Sequence, residues 1–156
     1  LRALPAGTHC FSVSTSGPVA QFRLQFGQVP AASEINTLIS PGVNEFMGTL
    51  APGGVITPSC ANNPTAGQEA AYFFLVCPGG ALFRASTCGG ALGTIPIDTV
   101  LSMARPGSSF VCNDDDPNCG VLSTIPNTVL NGLSHYALYV DSKGGTGSYT
   151  VQISLQ

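Results

Sequence analysis

The sequence is dominated by short segments in which apolar and polar residues alternate, which is the two-residue period of a β-strand. The longest is SYTVQISL at 148–155, where Tyr149, Val151, Ile153 and Leu155 share one face. The same alternation occurs in QFRLQF at 21–26 and in HYALYV at 135–140. The other strands that the sequence predicts lie at 10–14, 46–50, 54–57, 70–76, 81–87, 98–103 and 108–112.

Helical periodicity is weak throughout the chain, and only AASEINTLI at 31–39 could hold one helical turn, with Ser33 as its cap. The 19 glycines and 12 prolines favour many turns instead. We therefore predict an all-β fold, an Ig-like or jelly-roll β-sandwich of antiparallel strands with its polar faces outward and with disulfide staples.

A turn-rich stretch, CANNPTAGQ at 60–68, divides the chain. Residues 1–60 are interpreted as N-terminal strands or an assembly arm, and residues 61–156 as the main sandwich, within one structural unit overall. Sixty residues are few for an independent core. The N-terminal strands are therefore expected to complete the same sandwich or that of a neighbouring copy, and both alternatives remain open.

Six cysteines without a C-x-x-C pair, and with only two histidines, fit no zinc spacing and instead predict disulfides. The pairing Cys112–Cys119 is predicted because six intervening residues can be closed by a bridge; Cys77–Cys88 and Cys10–Cys60 follow from neighbourhood alone. Disulfides indicate an oxidising compartment. Because the chain starts at Leu1, we expect a processed, secreted protein, extracellular or on the cell surface.

Charged residues make up only 8% of the chain, against about 25% in ordinary soluble domains. Five basic residues and a net charge of −3 argue against nucleic acid as a partner. The apolar runs are too short to span a membrane, which takes roughly 18 residues. A surface with so little charge resists association poorly. We therefore expect the surface to be covered by copies of the chain or by O-linked glycans. The alternative is a neutral surface rich in Ser and Thr, which needs no cover.

The C-terminal block contains, in order, YFFLVCPGGALFRASTCGG, DTVLSM, VCNDDDPNCG, HYALYVD and GTGSYTVQI. This order resembles the bacterial pre-peptidase C-terminal (PPC) domain over residues 69–155. The resemblance implies a small, non-catalytic β-sandwich attached to secreted enzymes or surface proteins. It also implies that calcium or extracellular polymers are ligands of some relatives.

The acidic segment VCNDDDPNCG at 111–120 has two interpretations. In the first, Asp and Asn side chains cap the backbone of a tight turn. In the second, carboxylates bind calcium, which takes six to eight oxygen ligands. The candidate ligands of that calcium site are Asp98, Asn113, Asp114, Asp115 and Asp116. An EF-hand is excluded, because its sixth position would be Cys119 and its twelfth Ile125.

No motif for catalysis or for a nucleotide cofactor is present, so we predict a protein that is not an enzyme and that has no cofactor other than calcium. His135 lies near Asp141 in sequence but on the polar side of its strand. Six aromatic residues could form a sugar-binding platform, although the alternation places most of them in the core. They are Tyr72, Phe73, Phe74, Phe83, Tyr136 and Tyr139.

Two functions follow from these features. The first is a structural subunit that self-associates, in which an N-terminal strand is added to a neighbour's sheet and open filaments grow. The residues expected to form that assembly strand are Phe11, Val13, Phe22, Leu24 and Phe26. The second is a monomeric accessory module that binds calcium, a carbohydrate or another extracellular polymer.

Overall fold

The computed structural model describes residues 36–39, 41–51, 60, 69–76, 78–89, 97–105, 111–132, 134–143 and 145–156. None of these residues is helical, so no membrane-spanning helix is found among them. The strands are β1 (Asn36–Leu38), β2 (Gly42–Leu50), β3 (Ala70–Val76), β4 (Ala81–Ser86), β5 (Thr99–Ala104), β6 (Val111–Asp114), β7 (Thr124–Leu130), β8 (Ser134–Ser142) and β9 (Gly147–Leu155).

The strands form two sheets that confirm the all-β sandwich. One sheet has five strands in the order β1-β3-β8-β5-β6, and the other has four in the order β2-β9-β4-β7. All pairings are antiparallel except that of β1 with β3, which is parallel. Antiparallel pairing suits the short connections of this chain, since parallel neighbours need long crossovers.

The core lies between the two sheets. The Phe74 ring of the five-stranded sheet stacks on the Phe83 ring of the four-stranded sheet, with centroids 5.1 Å apart. The hydroxyls of Tyr72 and Tyr149 form a buried hydrogen bond of 2.7 Å across the same space. Burial, followed by the Tyr72 hydroxyl, raises the pKa of the Tyr149 phenol. Buried polar atoms are tolerated here because each hydroxyl satisfies the other.

The prediction that both sheets turn polar faces outward is wrong for the five-stranded sheet. In β5 and β8, residues on both faces of the sheet are buried. Leu101 and Val140 lie in the core between the sheets, and Val100, Ser102 and Asp141, which alternate with them, are also fully buried. A strand that is buried on both faces needs apolar residues at successive positions rather than at alternate ones. This explains why β3 reads AAYFFLV, without a two-residue period.

Two of the strands occur where the sequence predicts no strand, and β2 begins at Gly42 rather than at residue 46. Residues 36–38 form strand β1, not a helical turn, because they pair with β3. Strand β7 was not predicted, since Pro126 interrupts its pattern; proline is tolerated there because β7 is an edge strand. The strands predicted at 10–14, 21–26 and 54–57 lie outside the described residues.

Strands β1 and β2 precede the predicted boundary at residue 60, yet they lie in the same two sheets as the later strands. β1 pairs with β3, and β2 pairs with β9 along its whole length. Strands β1 and β2 therefore belong to this chain's own sandwich.

The predicted disulfides Cys112–Cys119, Cys77–Cys88 and Cys10–Cys60 are wrong. The structure pairs Cys60 with Cys112 and Cys88 with Cys119, each at a Cα–Cα distance of 5.7 Å. Cys112 lies within β6, whereas Cys119 lies in the following turn beside the end of β4, where Cys88 is. Cys10 and Cys77 lie outside the described residues. Proximity in sequence misled the prediction because the fold brings distant strand ends together.

Candidate functional site

The acidic cluster is formed where three neighbouring strands end or begin. Asp98 lies just before the central strand β5, Asp114 ends β6, and Lys143 follows β8. The register pairs Val100 with Asp114 on one side of β5, and Thr99 with Ser142 on the other. Because β6 and β8 run antiparallel to β5, both of them end where β5 begins. These side chains therefore meet at one end of the sheet.

Three carboxylates and one ammonium group make up this cluster. One oxygen from each of Asp98, Asp114 and Asp115 lies within 4.8 Å of the other two. Lys143 Nζ is 2.8 Å from Asp114 Oδ2 and 3.8 Å from Asp115 Oδ2. The Lys143 backbone N–H also donates to the Asp98 carbonyl at 3.0 Å. One ammonium faces three carboxylates, so within the cluster two negative charges remain uncompensated.

Two oxygens of the cluster are buried without a hydrogen-bond partner among the described residues. They are Asp98 Oδ1 and Asp114 Oδ1. The Asp114 side chain is only 6% exposed. Leaving a buried acceptor unsatisfied costs roughly 1–3 kcal/mol. A cation that accepted these oxygens as ligands would remove that cost.

The electrostatics agree with a crowded anionic site. Burial raises the pKa of Asp98, and the neighbouring Asp115 and Asp114 raise it further, against the opposing effect of Lys143. The hydrogen bond to Asp114 is the largest effect on Lys143, and together with the charges of the cluster it raises the pKa of the Lys143 ammonium. Burial is the larger cause of the Asp98 pKa shift, and the contributions of the neighbouring carboxylates to both pKa shifts indicate that the cluster favours added positive charge.

Asp115 holds a left-handed backbone conformation, with φ at 69°. This region is costly for residues other than glycine, although Asp and Asn tolerate it best. The kink turns the chain out of β6 and keeps the Asp115 carboxylate beside Lys143. Backbone strain and the acidic cluster thus coincide at one residue.

Asn113 and Asp116, the other two predicted calcium ligands, have different contacts. Asn113 Oδ1 accepts a hydrogen bond from the Thr124 backbone N–H at 2.8 Å. Asp116 Oδ1 accepts from the Asn118 backbone N–H at 2.9 Å and from Asn118 Nδ2 at 3.0 Å. The Asp116 contacts are the turn-capping contacts that the first interpretation describes, whereas the Asn113 contact connects β6 to the start of β7. The segment therefore contains a capped turn and an acidic cluster side by side.

The capped turn has the sequence expected of its geometry. The Cys119 backbone N–H donates to the Asp116 carbonyl at 2.9 Å, which closes a turn with Pro117 and Asn118 at its centre. Proline favours the first central position of such a turn. Gly120 follows with φ at 70°, a conformation that glycine adopts without strain.

Lys143 is the residue of the cluster that sequence reasoning missed. It lies in DSKGGTGS, whose composition indicates only a glycine-rich connection between two strands. The sequence signal that could have identified Lys143 is its rarity. It is the single lysine among five basic residues, in a chain that also contains a run of three aspartates. Strand pairing between β5 and β8 was needed to connect the two segments.

The other candidate sites do not assemble. His135 and Asp141 lie six residues apart on strand β8, which is about 20 Å, and so they cannot share a hydrogen bond. Five of the six aromatic residues are buried and Phe73 is partly buried, so they form no exposed platform. The predicted assembly-strand residues all lie outside the described residues: Phe11, Val13, Phe22, Leu24 and Phe26.

Comparisons with known proteins give similarities only among solved structures. No family model and no curated protein matches the chain. Among solved structures, the chain is similar to the pre-peptidase C-terminal domain of collagenase from Bacillus anthracis, with a TM-score of 0.46 and 16% sequence identity. The match covers 79% of this chain and 96% of that domain. The family of that domain is the one that the motifs of residues 69–155 resemble.

Proposed function

We propose that this chain is a non-catalytic, extracellular structural subunit that self-associates through exchange of an N-terminal strand. The single observation that carries the proposal is the open edge of β2. This strand pairs with β9 over all nine of its residues, and no described strand pairs with its other side. A long, regular edge that no described strand covers is a template for another strand, because its outward backbone groups can form the hydrogen bonds of an added ladder.

Within β2, a single charged residue is the one feature of the kind that usually protects an edge. Val43 is 74% exposed and Met47 is 71% exposed. Glu45 is the only charged residue of the strand, and its nine paired residues show no bulge. Natural edge strands are more often protected by lysines, prolines or bulges. We conclude that β2 is suited to accept a partner strand.

Composition and disulfides support the same proposal. A net charge of −3 with 8% charged residues gives copies of the chain little electrostatic repulsion. The Cys60–Cys112 and Cys88–Cys119 disulfides are compatible with an extracellular protein. O-linked glycans on the Ser and Thr side chains are proposed as additional surface cover.

The test is the particle mass of the full, unreduced chain over a wide concentration range, measured by light scattering and sedimentation. Assemblies much larger than the 15.9 kDa chain are expected, with a proportion that rises with concentration. A single species with the 15.9 kDa mass of one chain at every concentration would contradict self-association.

A second candidate function is a calcium-dependent accessory module, favoured by the two buried oxygens without partners. Asp98, Asp114 and Asp115 offer hard carboxylate oxygens of the kind that calcium prefers. Calcium would neutralise the uncompensated charge and tie together the ends of β5 and β6. The Lys143 ammonium already contacts the Asp114 carboxylate. It would therefore compete with calcium for that carboxylate, or the calcium ion would bind next to the ammonium group.

Calorimetric titration of the chelator-treated chain with calcium chloride tests this function. We expect binding with a dissociation constant of about 10⁻⁴–10⁻³ M, as in extracellular calcium modules, and a rise in the melting temperature. Asp98→Asn should lose both effects. Asp116→Asn is the matched control, because Asp116 caps the turn and lies outside the cluster. Absence of heat and of any thermal shift in the wild type would exclude the module.

A further inference from the structure

The open edge of β2 has two faces, which define the strand that could pair with it. On the inner face, Phe46 is half-buried and its ring lies 4.9 Å from the Tyr72 ring. On the outer face, Glu45 is exposed between Val43 and Met47. An added strand must therefore place apolar side chains beside Phe46 and a positive charge opposite Glu45.

The Glu45 carboxylate accepts a hydrogen bond from β9, and Glu45 remains exposed on the side of the open edge of β2. Gln152 of β9 donates to Glu45 Oε2 at 2.8 Å on the exposed surface. Gln152 is the residue opposite Glu45 in the ladder, so this contact lies on the side of β9. The opposite side of Glu45 faces the open edge.

The segment QFRLQF at 21–26 has the complementary pattern. Arg23 is its only charge and shares one face with Gln21 and Gln25, while Phe22, Leu24 and Phe26 share the other. An antiparallel alignment with Arg23 opposite Glu45 sets Phe22 opposite Phe46. Aromatic pairs and pairs of opposite charge are both favourable between directly opposed strand residues.

We propose that residues 21–26 of a second copy pair antiparallel with the edge of β2, with Arg23 opposite Glu45 and Phe22 opposite Phe46. This inference rests on the proposed self-association and names its acceptor site. Each copy then donates one strand and accepts one, a head-to-tail contact of the kind that grows into an open filament where its rotation does not close into a ring. The four-stranded sheet gains a fifth strand, and Phe46 becomes covered.

Charge reversal tests the pairing in the full chain. Glu45→Arg and Arg23→Glu each place like charges opposite one another, and we expect each to raise the concentration of half-assembly about tenfold at low salt. Both sites are polar positions of alternating segments, and Glu45 is exposed. The double reversal should restore wild-type assembly. Val129→Arg, at an 81% exposed position on the opposite edge strand β7, is the matched control and should assemble like the wild type.

Mixing the two single variants distinguishes a second copy from the chain's own segment. In the mixture, residues 21–26 of the Arg23→Glu variant meet the β2 edge of the Glu45→Arg variant with opposite charges. The reciprocal contact, between the unchanged segment and the unchanged edge, is also complementary. An equimolar mixture should therefore assemble although neither variant does so alone at the same concentration. Pairing of residues 21–26 with β2 of the same chain would give no such rescue and would overturn the proposal.

The outcomes also separate this inference from the proposed function. If the wild type assembles and both single reversals assemble equally well, the acceptor site is wrong while self-association stands. If the wild type remains a monomer at all concentrations, self-association itself is contradicted, and exchange between copies is contradicted with it.

Discussion

At the scale of single residues, neighbouring aspartates in the acidic segment have different roles. Asp116 caps a turn, whereas Asp114 and Asp115 face Lys143. The sequence DDD cannot separate these roles, because each depends on the direction in which the backbone carries the side chain. The left-handed conformation of Asp115 sets that direction at the end of β6. Capping by Asp and Asn was predictable from residue type, but the contact with Lys143 was not.

The first prediction concerns Asp98 in calcium-free buffer. Its pKa is raised in the folded state, so the folded state disfavours the ionised carboxylate. This penalty is absent below the ordinary pKa of 3.8, grows as the pH rises toward the raised value, and persists above it. Asp98→Asn should therefore increase the free energy of unfolding at pH 7 by up to about 1 kcal/mol, allowing for solvent screening.

Chemical denaturation of Asp98→Asn and of the wild type at pH 3 and pH 7 measures this effect. The two proteins should differ at pH 7 and converge at pH 3, where Asp98 is protonated in both states. A lower stability of Asp98→Asn at pH 7 would show that attraction to Lys143 outweighs burial.

The second prediction concerns acid stability and Asp116. The backbone N–H of Asn118, followed by the Thr124 and Asn118 side chains, lowers the pKa of Asp116. A lowered pKa stabilises the folded state above the ordinary value of 3.8, and this contribution is lost as the pH falls through the folded pKa. The stability advantage of the wild type over Asp116→Asn should therefore shrink between pH 5 and pH 2, as followed by urea unfolding. A constant difference over that range would contradict the assignment.

At the scale of elements, the alternation of apolar and polar residues predicted strands that are buried on one face only. It failed where a proline interrupts the pattern, as in β7. β9 was predicted almost to its ends because its apolar residues all face the core. β7 was missed because Pro126 breaks the pattern, and its edge position became visible only with the sheet order. The disulfide pairing was predicted wrongly for the same reason, because the strand order determines which strand ends, and therefore which cysteines, lie next to each other. Local periodicity is encoded in neighbouring residues, whereas strand order depends on the whole chain.

The third prediction concerns the packing of β2 on β9. A Cβ atom added at Gly48 would lie 2.5 Å from Tyr149 Oη and 2.7 Å from two of its ring atoms. Tyr149 cannot move freely, because it is buried and hydrogen-bonded to Tyr72. Gly48→Ala should lower the free energy of unfolding by roughly 1–3 kcal/mol, the usual cost of overpacking.

Denaturant unfolding measures this cost, with Thr49→Ala as the neighbouring control. Thr49 is exposed at the solvent side of β2, so its substitution should change stability by less than about 0.5 kcal/mol. Equal stabilities of Gly48→Ala and Thr49→Ala would mean that β2 does not pack against Tyr149 as described.

At the scale of the whole molecule, low charge and an open edge lead to the same expectation. The sheet edge offers backbone hydrogen bonds and partly exposed apolar side chains, while Glu45 supplies the only charge of β2. An exposed ion pair contributes only about 0–1 kcal/mol and is screened by salt. Apolar burial and backbone hydrogen bonds should therefore dominate self-association, and the Arg23–Glu45 pair should determine register.

The fourth prediction is the salt dependence that follows from this balance. Raising sodium chloride from about 0.05 M to 0.5 M, which shortens the screening length to a few ångströms, should change the half-assembly concentration of the wild type by less than about tenfold. Sodium sulfate should promote assembly, because excluded salts strengthen apolar burial. The defect of Glu45→Arg should diminish in sodium chloride, since screening weakens the repulsion between like charges. Light scattering across both salts tests this balance, and dissolution of wild-type assemblies by sodium chloride alone would show that ion pairs, not the strand edge, hold the copies together.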